Sequence, residues 1–268
     1  MKKSLLFDLL KFAMLHPKIG VQIVQSALQS YNDSKQDVKT LDVRSLQVSE
    51  VINNLFPHTT ISLVKLRENL TTLHNYLTNF FEKLENKNYP SKEKPYPIDY
   101  SLDDSSSLFL YILCKIVKPD TVVETGVAYG RSSSYILQAL SENNKGNLYS
   151  IDSIFRPWES KQMIGSVIPK DLTNRWKFIF GPSSTELKKL LDKLGMVDIF
   201  FHDSLHTSKN MMFEFETAWP FIKNDGFLIS DDITGNNAFY KFSKSKNLQP
   251  IIISSKNKNS MIGILHKF

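Results

Sequence analysis

The stretch 123-VETGVAYGRSS-133 decides the fold class of this chain. It joins a short run of β-branched residues to the start of an amphipathic segment, and Gly126 and Gly130 lie in the turn between them. This order predicts a strand, a glycine turn and a helix. Open parallel sheets bind ligands at the carboxyl ends of their strands, where a glycine turn lets backbone amides approach the ligand. The turn is therefore a candidate ligand site, with a tight turn that holds no ligand as the alternative.

The spacing of the two glycines argues against a dinucleotide. It is G-x-x-x-G, whereas the turn that seats a pyrophosphate has G-x-G-x-x-G. The acidic Glu124 just before the turn would also repel phosphate. A ligand that carries a positive centre and no phosphate suits this turn better.

Short apolar runs alternate with amphipathic segments throughout the chain after residue 120. Strands are predicted at Thr121–Thr125, Asn147–Asp152, Trp176–Gly181, Val197–Asp203, Gly226–Asp232, Gln249–Ser255 and Met261–Lys267. Helices are predicted at about residues 131–141, 183–194, 207–222 and 236–246. Helical crossovers imply parallel strands, but residues 256–260 are too few for a crossover and predict an antiparallel hairpin. The sequence thus predicts an α/β fold: a Rossmann-like, doubly wound, seven-stranded sheet, mostly parallel with an antiparallel last strand.

Residues 1–95 are predicted to form a helical N-terminal extension, and residues 96–268 the main domain. The connector between them is 89-YPSKEKPYP-97, because helices do not continue through such prolines. A heptad-like seam ahead of the connector predicts one long helix: Leu63, Leu66, Leu70, Leu73, Leu77, Phe80 and Leu84. A shorter helix is predicted around residues 21–31. Three interpretations of the seam stay open: packing on its own domain, pairing with a second subunit, or closing over a substrate.

Composition and charge exclude several classes of protein. Of the 268 residues, 41% are hydrophobic and 22% are charged, which is typical of a soluble globular protein and excludes a collagen or a disordered chain. The net charge of +6 would allow contact with nucleic acid, but the lysines are scattered along the chain. No apolar stretch approaches the roughly 18 residues of a membrane span.

The single cysteine and the N-terminus bear on the cellular compartment. Cys114 cannot form an internal disulfide and lies in an apolar run, which predicts a small core residue in a reducing compartment. Residues 1–15 carry a basic tip and apolar residues like a secretory signal, but Asp8 and Lys11 interrupt the run and no cleavage site follows. We therefore expect a cytoplasmic protein.

Polar residues follow the second and third predicted strands. Asp152 ends the second strand, where an acid that binds ribose hydroxyls lies in nucleoside-binding Rossmann folds. Its alternative role is the N-cap of a helix. Ser183 and Ser184 follow a Gly-Pro turn after the third strand, where they could contact a nucleobase or cap the next helix.

Acidic residues end the fourth and fifth predicted strands. If these strands are parallel neighbours, Asp203, Asp231 and Asp232 converge in one cleft. Two carboxylates about 4 Å apart repel by about 4 kcal/mol at an effective dielectric constant near 20, so the cluster calls for a cation or raised pKa values. Carboxylate ligands point to Mg²⁺, Mn²⁺ or Ca²⁺ and not to zinc. The alternative is that Asp231 and Asp232 cap the next helix.

Two histidines flank Asp203. His202 and His206 are four residues apart, but they leave a strand, so a helical zinc pair is not expected. Strand alternation sends His202 to the face opposite Asp203, which predicts a hydrogen-bonded core histidine. His206 lies in the following loop and could deprotonate a bound hydroxyl at neutral pH, or simply be exposed.

Taken together, these motifs resemble class I S-adenosylmethionine-dependent methyltransferases. The closest pattern is that of the cation-dependent small-molecule O-methyltransferases of the catechol, caffeoyl-coenzyme A and macrolide-sugar types. Four segments carry the resemblance: Glu124–Ser132, Asp152, Phe201–His206 and Ser230–Asp232. It covers about residues 104–268, and the first 100 residues resemble no family that we can name.

The resemblance implies a cofactor site and a metal site. It assigns the following residues to S-adenosylmethionine: Glu124, Gly126, Gly130, Ser132, Asp152, Ser183, Ser184 and Asp203. Glu124 and Gly126 would line the methionine part, and Ser132 would meet its carboxylate. The ribose would contact Asp152, and the adenine Ser183 or Ser184. A divalent cation, Mg²⁺ by this resemblance, would be held by three acids: Asp203, Asp231 and Asp232.

The implied activity is transfer of a methyl group to a hydroxyl of a small molecule, such as a phenol, a sugar or another natural product. His206 replaces the catalytic lysine of the catechol type, so His206 and Asp203 are the candidate catalytic residues. Two rivals stay open: a metal-independent methyltransferase with His206 as base, and a non-catalytic cofactor-binding adaptor. Nucleic acid is disfavoured as a substrate, because base methylation usually uses an Asn/Asp-Pro-Pro-aromatic segment where this chain has Asp203–His206. A homo-oligomer formed through the N-terminal helices is also expected.

Overall fold

A computed structural model describes residues 3–35, 45–59, 62–254 and 261–268. The helices are α1 (Lys3–Leu15), α2 (Pro17–Asp33), α3 (Val48–Leu55), α4 (Leu63–Asn69), α5 (Thr71–Glu85), α6 (Asp104–Val117), α7 (Arg131–Glu142), α8 (Ser183–Leu194), α9 (Ser208–Ala218) and α10 (Ala238–Ser245). The strands are β1 (Thr121–Thr125), β2 (Asn147–Asp152), β3 (Trp176–Phe180), β4 (Val197–His202), β5 (Ile222–Ser230), β6 (Ile251–Ser254) and β7 (Met261–His266). The predicted turn at 256–260 lies outside the described residues.

The seven strands form one sheet in the order β3-β2-β1-β4-β5-β7-β6. Strands β1 to β5 pair in parallel, and β7 runs antiparallel to both β5 and β6. The predicted doubly wound, mostly parallel sheet with a reversed last strand is therefore confirmed. Helices α7, α8 and α9 supply three of the crossovers, whereas β2 reaches β3 through a loop with two short 3₁₀ helices, at Lys161–Met163 and Lys170–Arg175.

Apolar side chains cover both faces of the sheet because residues of a strand alternate between them. Phe201 packs in the cluster that includes α6 and α7, whereas its neighbour Phe200 packs with α8, α9 and α10. Cys114 is buried in α6, as predicted. Helix α6 begins after Asp103, whose carboxylate accepts hydrogen bonds from the N–H groups of Ser105 and Ser106.

The seam predicted as one long helix is two helices, because α4 ends and α5 begins at Leu70. Helix α5 packs its apolar stripe against the main domain, with Leu73, Leu77 and Leu84 buried. Of the three interpretations of the seam, packing on its own domain therefore holds for these residues. The rings of Phe80 and Phe81 in α5 also contact the ring of Tyr129 in the glycine turn. The extension thus shares its core with the main domain.

Helices α1 and α2 form the outer part of the extension. Only His16 separates them, and a side chain at Gly20 would overlap Ala13, so α1 packs closely on the start of α2. Helix α2 is attached to the main domain by Asp33, whose carboxylate accepts hydrogen bonds from the N–H and the hydroxyl of Ser208 at the start of α9. Across the ranges that the structure describes, no helix is long and apolar enough to cross a membrane.

Candidate functional site

The pairing register brings the ends of four strands to one edge of the sheet. Thr125 of β1 pairs with Ile151 of β2 on one side and with His202 of β4 on the other, and His202 pairs with Ser230 of β5. The next residue along the chain is the last residue of the strand in β2 and lies just beyond the carboxyl end of the strand in β1, β4 and β5. In sheet order, those residues are Asp152, Gly126, Asp203 and Asp231.

The glycine turn is in direct contact with the end of β4. Gly126 has a φ of +83°, and a Cβ atom at this position would overlap the backbone carbonyl of Asp203. Gly130, with a φ of +95°, is the N-cap of α7. Only glycine meets both requirements at residue 126, a left-handed backbone and no side chain. The glycine turn therefore packs directly on the end of β4. The loop that follows β4 carries Asp203 and His206 and is called the acidic loop below.

Asp152 is bound to the backbone of the glycine turn. Its Oδ2 accepts hydrogen bonds from the N–H groups of Val127 (2.9 Å) and Ala128 (3.0 Å), and its Oδ1 accepts one from Ser153 (2.7 Å). Burial raises the pKa of Asp152, and these three hydrogen bonds oppose that shift. No helix begins at Asp152, so the alternative role as a helix N-cap is not what the structure shows. The carboxylate instead fixes the conformation of the turn.

Glu124 lies beneath the turn and not in the cleft. Its side chain is fully buried, and its carboxylate accepts hydrogen bonds from the hydroxyls of Ser132 (2.7 Å), Ser133 (2.6 Å) and Ser150 (2.7 Å). Burial raises the pKa of Glu124, and the hydroxyl groups oppose that shift. The side chain of Glu124, which the resemblance assigns to the methionine part of the cofactor, is thus enclosed by serine hydroxyls, and one of them is that of Ser132. Glu124 instead ties β1 and β2 to the first turn of α7.

The acidic cluster at the ends of β4 and β5 has a different membership from the predicted one. Asp203, His206 and Asp231 each place one ligand atom within 4.8 Å of the others, and all three side chains are partly exposed. His206 Nε2 lies 3.9 Å from Asp203 Oδ1. Asp232 is not part of this cluster: its φ is +46°, and its carboxylate accepts a hydrogen bond from Thr234. Of the three predicted acids, Asp203 and Asp231 thus lie together with His206, and Asp232 lies outside this group.

His202 points away from the cleft into the core, as strand alternation predicts. It is fully buried, and its Nδ1 lies 2.6 Å from Oε2 of Glu214 in α9. Burial alone would raise the pKa of Glu214, but the charge and the hydrogen bond of His202 lower it to about 2. The prediction of a hydrogen-bonded core histidine is confirmed.

Glu214 is a supporting residue that the sequence reasoning missed. Besides His202, its carboxylate accepts hydrogen bonds from the hydroxyls of Thr125 at the end of β1 and Ser204 in the acidic loop. It thereby fixes the loop that carries Asp203 and His206. The signal in the sequence was a lone acid on the apolar stripe of α9, which also includes Met211, Phe215 and Ala218.

Ser183 and Ser184 lie farther along the same edge, at the start of α8. The turn before them is tied to β2, because the N–H of Gly181 donates a hydrogen bond to the backbone carbonyl of Asp152 (2.9 Å). Ser183 is partly buried, whereas Ser184 is exposed. The side chain of Ser183 hydrogen-bonds to that of the buried Glu214.

Comparison with known proteins agrees with this architecture. Residues 123–233 match a family model described as a methyltransferase domain. A comparison with curated proteins found no match. A solved O-methyltransferase from Bacillus cereus, in complex with SAH, superposes with a TM-score of 0.53 at 16% sequence identity. The matched region covers 82% of this chain and 97% of the Bacillus cereus chain.

Two further solved structures share the fold. The O-methyltransferase TomG from Streptomyces achromogenes, involved in tomaymycin synthesis and bound to SAM, has a TM-score of 0.53 at 13% identity and covers 82% of this chain and 96% of its own. The SAH-bound methyltransferase PaMTH1 from Podospora anserina has a TM-score of 0.51 at 13% identity and covers 86% of this chain and 99% of its own. The fold implied by the strand-end motifs is thus confirmed: the chain shares its fold with these solved methyltransferases, and residues 123–233 match the methyltransferase-domain model.

Proposed function

We propose that this protein is an S-adenosylmethionine-dependent O-methyltransferase that methylates a hydroxyl of a small molecule with the help of a divalent cation. One observation carries the proposal. The glycine turn touches the end of β4 at Gly126, so the turn and the cluster of Asp203, His206 and Asp231 are neighbours. A methyl donor on the turn and a hydroxyl on the cluster would then be adjacent, which is what in-line transfer requires.

The cofactor half of the proposal rests on the turn, Asp152 and the start of α7. The first N–H groups of α7 have no partner within the helix, and a helix N-terminus of this kind favours an anion such as the cofactor carboxylate. Asp152 and Ser183 would contact the nucleoside. When bound, S-adenosylmethionine supplies the sulfonium methyl group. Glu124 holds the serines of α7 in place, and Asp152 holds the turn.

The metal half rests on the chemistry of the donor set. Two carboxylates and one imidazole within 4.8 Å of one another are compatible with the bond lengths of a small divalent cation. The carboxylates of Asp203 and Asp231 favour Mg²⁺ or Mn²⁺, and the imidazole of His206 shifts the preference towards Mn²⁺. Such a cation, when bound, lowers the pKa of a coordinated hydroxyl. Glu214 supports this cluster, since it fixes the loop that bears two of the three ligands.

Binding of S-adenosylhomocysteine tests the cofactor half. We expect calorimetry to detect binding to the wild-type protein, and Asp152→Ala to weaken it by about 1.5 to 3 kcal/mol, the range for losing hydrogen bonds to a charged group. Asp171→Ala, which removes an exposed acid in the loop between β2 and β3, serves as the control and should bind like the wild type. Tight NADH binding without S-adenosylhomocysteine binding would end this interpretation.

A second candidate mechanism is metal-independent methyl transfer with His206 as the base. The observation that favours it is the distance of 3.9 Å between His206 Nε2 and Asp203 Oδ1, since a nearby carboxylate stabilises a protonated imidazole. In this mechanism His206 removes the proton of the acceptor hydroxyl. Activity in excess chelator distinguishes the two mechanisms.

We also propose that α1 and α2 mediate self-association. Both helices expose large apolar side chains, at Leu6, Phe7, Leu10, Met14, Val21, Val24, Leu28 and Tyr31. Large apolar side chains that are exposed together on one pair of helices commonly mark an interface. The prediction is that Leu10→Asp lowers the mass measured by light scattering, because it buries a charge in the contact. Lys11→Ser on the same helix is the control, and a wild-type protein that is monomeric at every concentration would contradict the proposal.

A further inference from the structure

The proline-rich connector is bound directly to the glycine turn. Its residue Tyr96 is 7% exposed, and both its backbone polar groups contact the hydroxyl of Tyr129. That hydroxyl accepts a hydrogen bond from the Tyr96 N–H (3.3 Å) and donates one to the Tyr96 carbonyl (2.9 Å). The two rings also pack edge to face, with centroids 5.2 Å apart. Because Tyr129 belongs to the turn, Tyr96 is held at a fixed place beside it.

The phenol of Tyr96 is buried without a hydrogen-bond partner in the part of the chain that the structure describes. Leaving a buried hydroxyl unsatisfied costs about 1 to 3 kcal/mol, and native proteins leave few such groups. The two hydrogen bonds between its backbone and Tyr129 leave Tyr96 little freedom to turn the hydroxyl towards solvent. A hydrogen-bond partner that is not part of the chain, such as a bound ligand, would account for this unsatisfied hydroxyl.

The surroundings of the phenol match the nucleoside end of the site. Burial, and after it the carboxylates of Asp152 and Glu159, raises the pKa of Tyr96 well above its usual range, so the hydroxyl stays protonated and can donate. Ser153, which follows Asp152, and Trp158, which precedes Glu159, also have buried polar atoms without a partner in the described ranges. Unsatisfied donors and acidic acceptors thus occur together at the carboxyl end of β2.

We propose that Tyr96 donates a hydrogen bond from its phenol to the ribose of the bound cofactor, and that the connector thereby forms one wall of the nucleoside pocket. This rests on the proposed function, because the ligand is S-adenosylmethionine or its product. Ribose hydroxyls both donate and accept, so they fit between a phenol donor and the carboxylate of Asp152. Tyr96 lies outside residues 104–268, which carry the family resemblance.

Calorimetry with Tyr96→Phe tests the proposal. Phenylalanine keeps the ring on Tyr129 and removes only the hydroxyl. The dissociation constants of both S-adenosylhomocysteine and adenosine should rise about three- to tenfold, as expected for one neutral hydrogen bond. The melting temperature should not fall, because the hydroxyl has no hydrogen-bond partner among the residues that the structure describes. Tyr100→Phe is the matched control: this tyrosine follows the connector, is 54% exposed and should leave both affinities unchanged.

Three other outcomes would contradict either the ribose contact or the function on which it rests. A Tyr96→Phe protein with unchanged affinities overturns the contact and leaves the proposed function standing, provided that the wild type binds S-adenosylhomocysteine. A lower melting temperature for Tyr96→Phe also overturns it, since the hydroxyl would then stabilise the protein itself. A wild-type protein that binds neither ligand refutes the proposed function, and with it the ribose contact.

Discussion

Replacing Asp231 by alanine is expected to abolish cation binding and to lower turnover by about three orders of magnitude or more. Only two ligands, Asp203 and His206, would remain in the cluster. In the proposed mechanism, the charge stabilisation that a bound cation would provide in the transition state is typically worth several kcal/mol. The affinity for S-adenosylhomocysteine should change little, because Asp231 is not among its predicted contacts. Titration with Mn²⁺ and with Mg²⁺ measures the first effect, and initial rates with the best hydroxyl acceptor measure the second.

Asp232→Ala is the matched control for this experiment. Asp232 is adjacent in the chain, but its carboxylate contacts Thr234 and not the cluster, so the variant should still bind the cation. If Asp232→Ala loses the cation and Asp231→Ala keeps it, the cluster is wrongly assigned. Full activity in excess chelator would instead favour His206 as the base, and His206→Ala should then lose a factor of about 10² to 10⁴ in rate.

The second large effect is expected for Gly126→Ala. A left-handed backbone costs a non-glycine residue about 1 to 2 kcal/mol, and the new methyl group would overlap the backbone of Asp203, for which overpacking typically adds about 1 to 3 kcal/mol. We expect the free energy of unfolding to fall by about 2 to 5 kcal/mol, the sum of these terms. Because the overlap separates the turn from β4, binding of S-adenosylhomocysteine and of the cation should both be lost. Denaturant unfolding and calorimetry measure these effects.

Gly195→Ala separates backbone strain from the overlap. Gly195 also has a positive φ, +71°, but a Cβ atom there would meet nothing within 4 Å. This variant should lose stability, by about 1 to 3 kcal/mol, and keep both binding activities. If Gly126→Ala binds both ligands like Gly195→Ala, then the contact between the turn and β4 does not link the two halves of the site.

Local sequence patterns were sufficient to predict most of the strands and helices in the second half of the chain. The bounds of β1, β2 and α8 agree with those predicted, because short β-branched runs and amphipathic spacing report how each residue is buried. Parallel pairing then follows from the helical crossovers, and it brings the ends of β1, β2, β4 and β5 to one edge. The meeting of Asp203 with Asp231 was predictable for the same reason.

The N-terminal extension shows where periodicity is not sufficient. A seam of leucines predicts a helix whatever the helix packs against, so it did not reveal the break at Leu70 or the choice of partner. The contacts of Phe80 and Phe81 with Tyr129 join residues that are far apart in sequence. Such contacts depend on the complete core.

The sequence by itself determined the strands, their mostly parallel direction and the glycine turn, because these follow from local burial patterns and from the helical crossovers. Only the tertiary structure decided how the polar groups pair. Glu124 contacts three serines because α7 and β2 meet above it, and His206 lies beside Asp203 and Asp231 whereas the carboxylate of Asp232 contacts Thr234. Loop conformation and contacts between distant segments set these pairings, and neither leaves a periodic signal in the sequence.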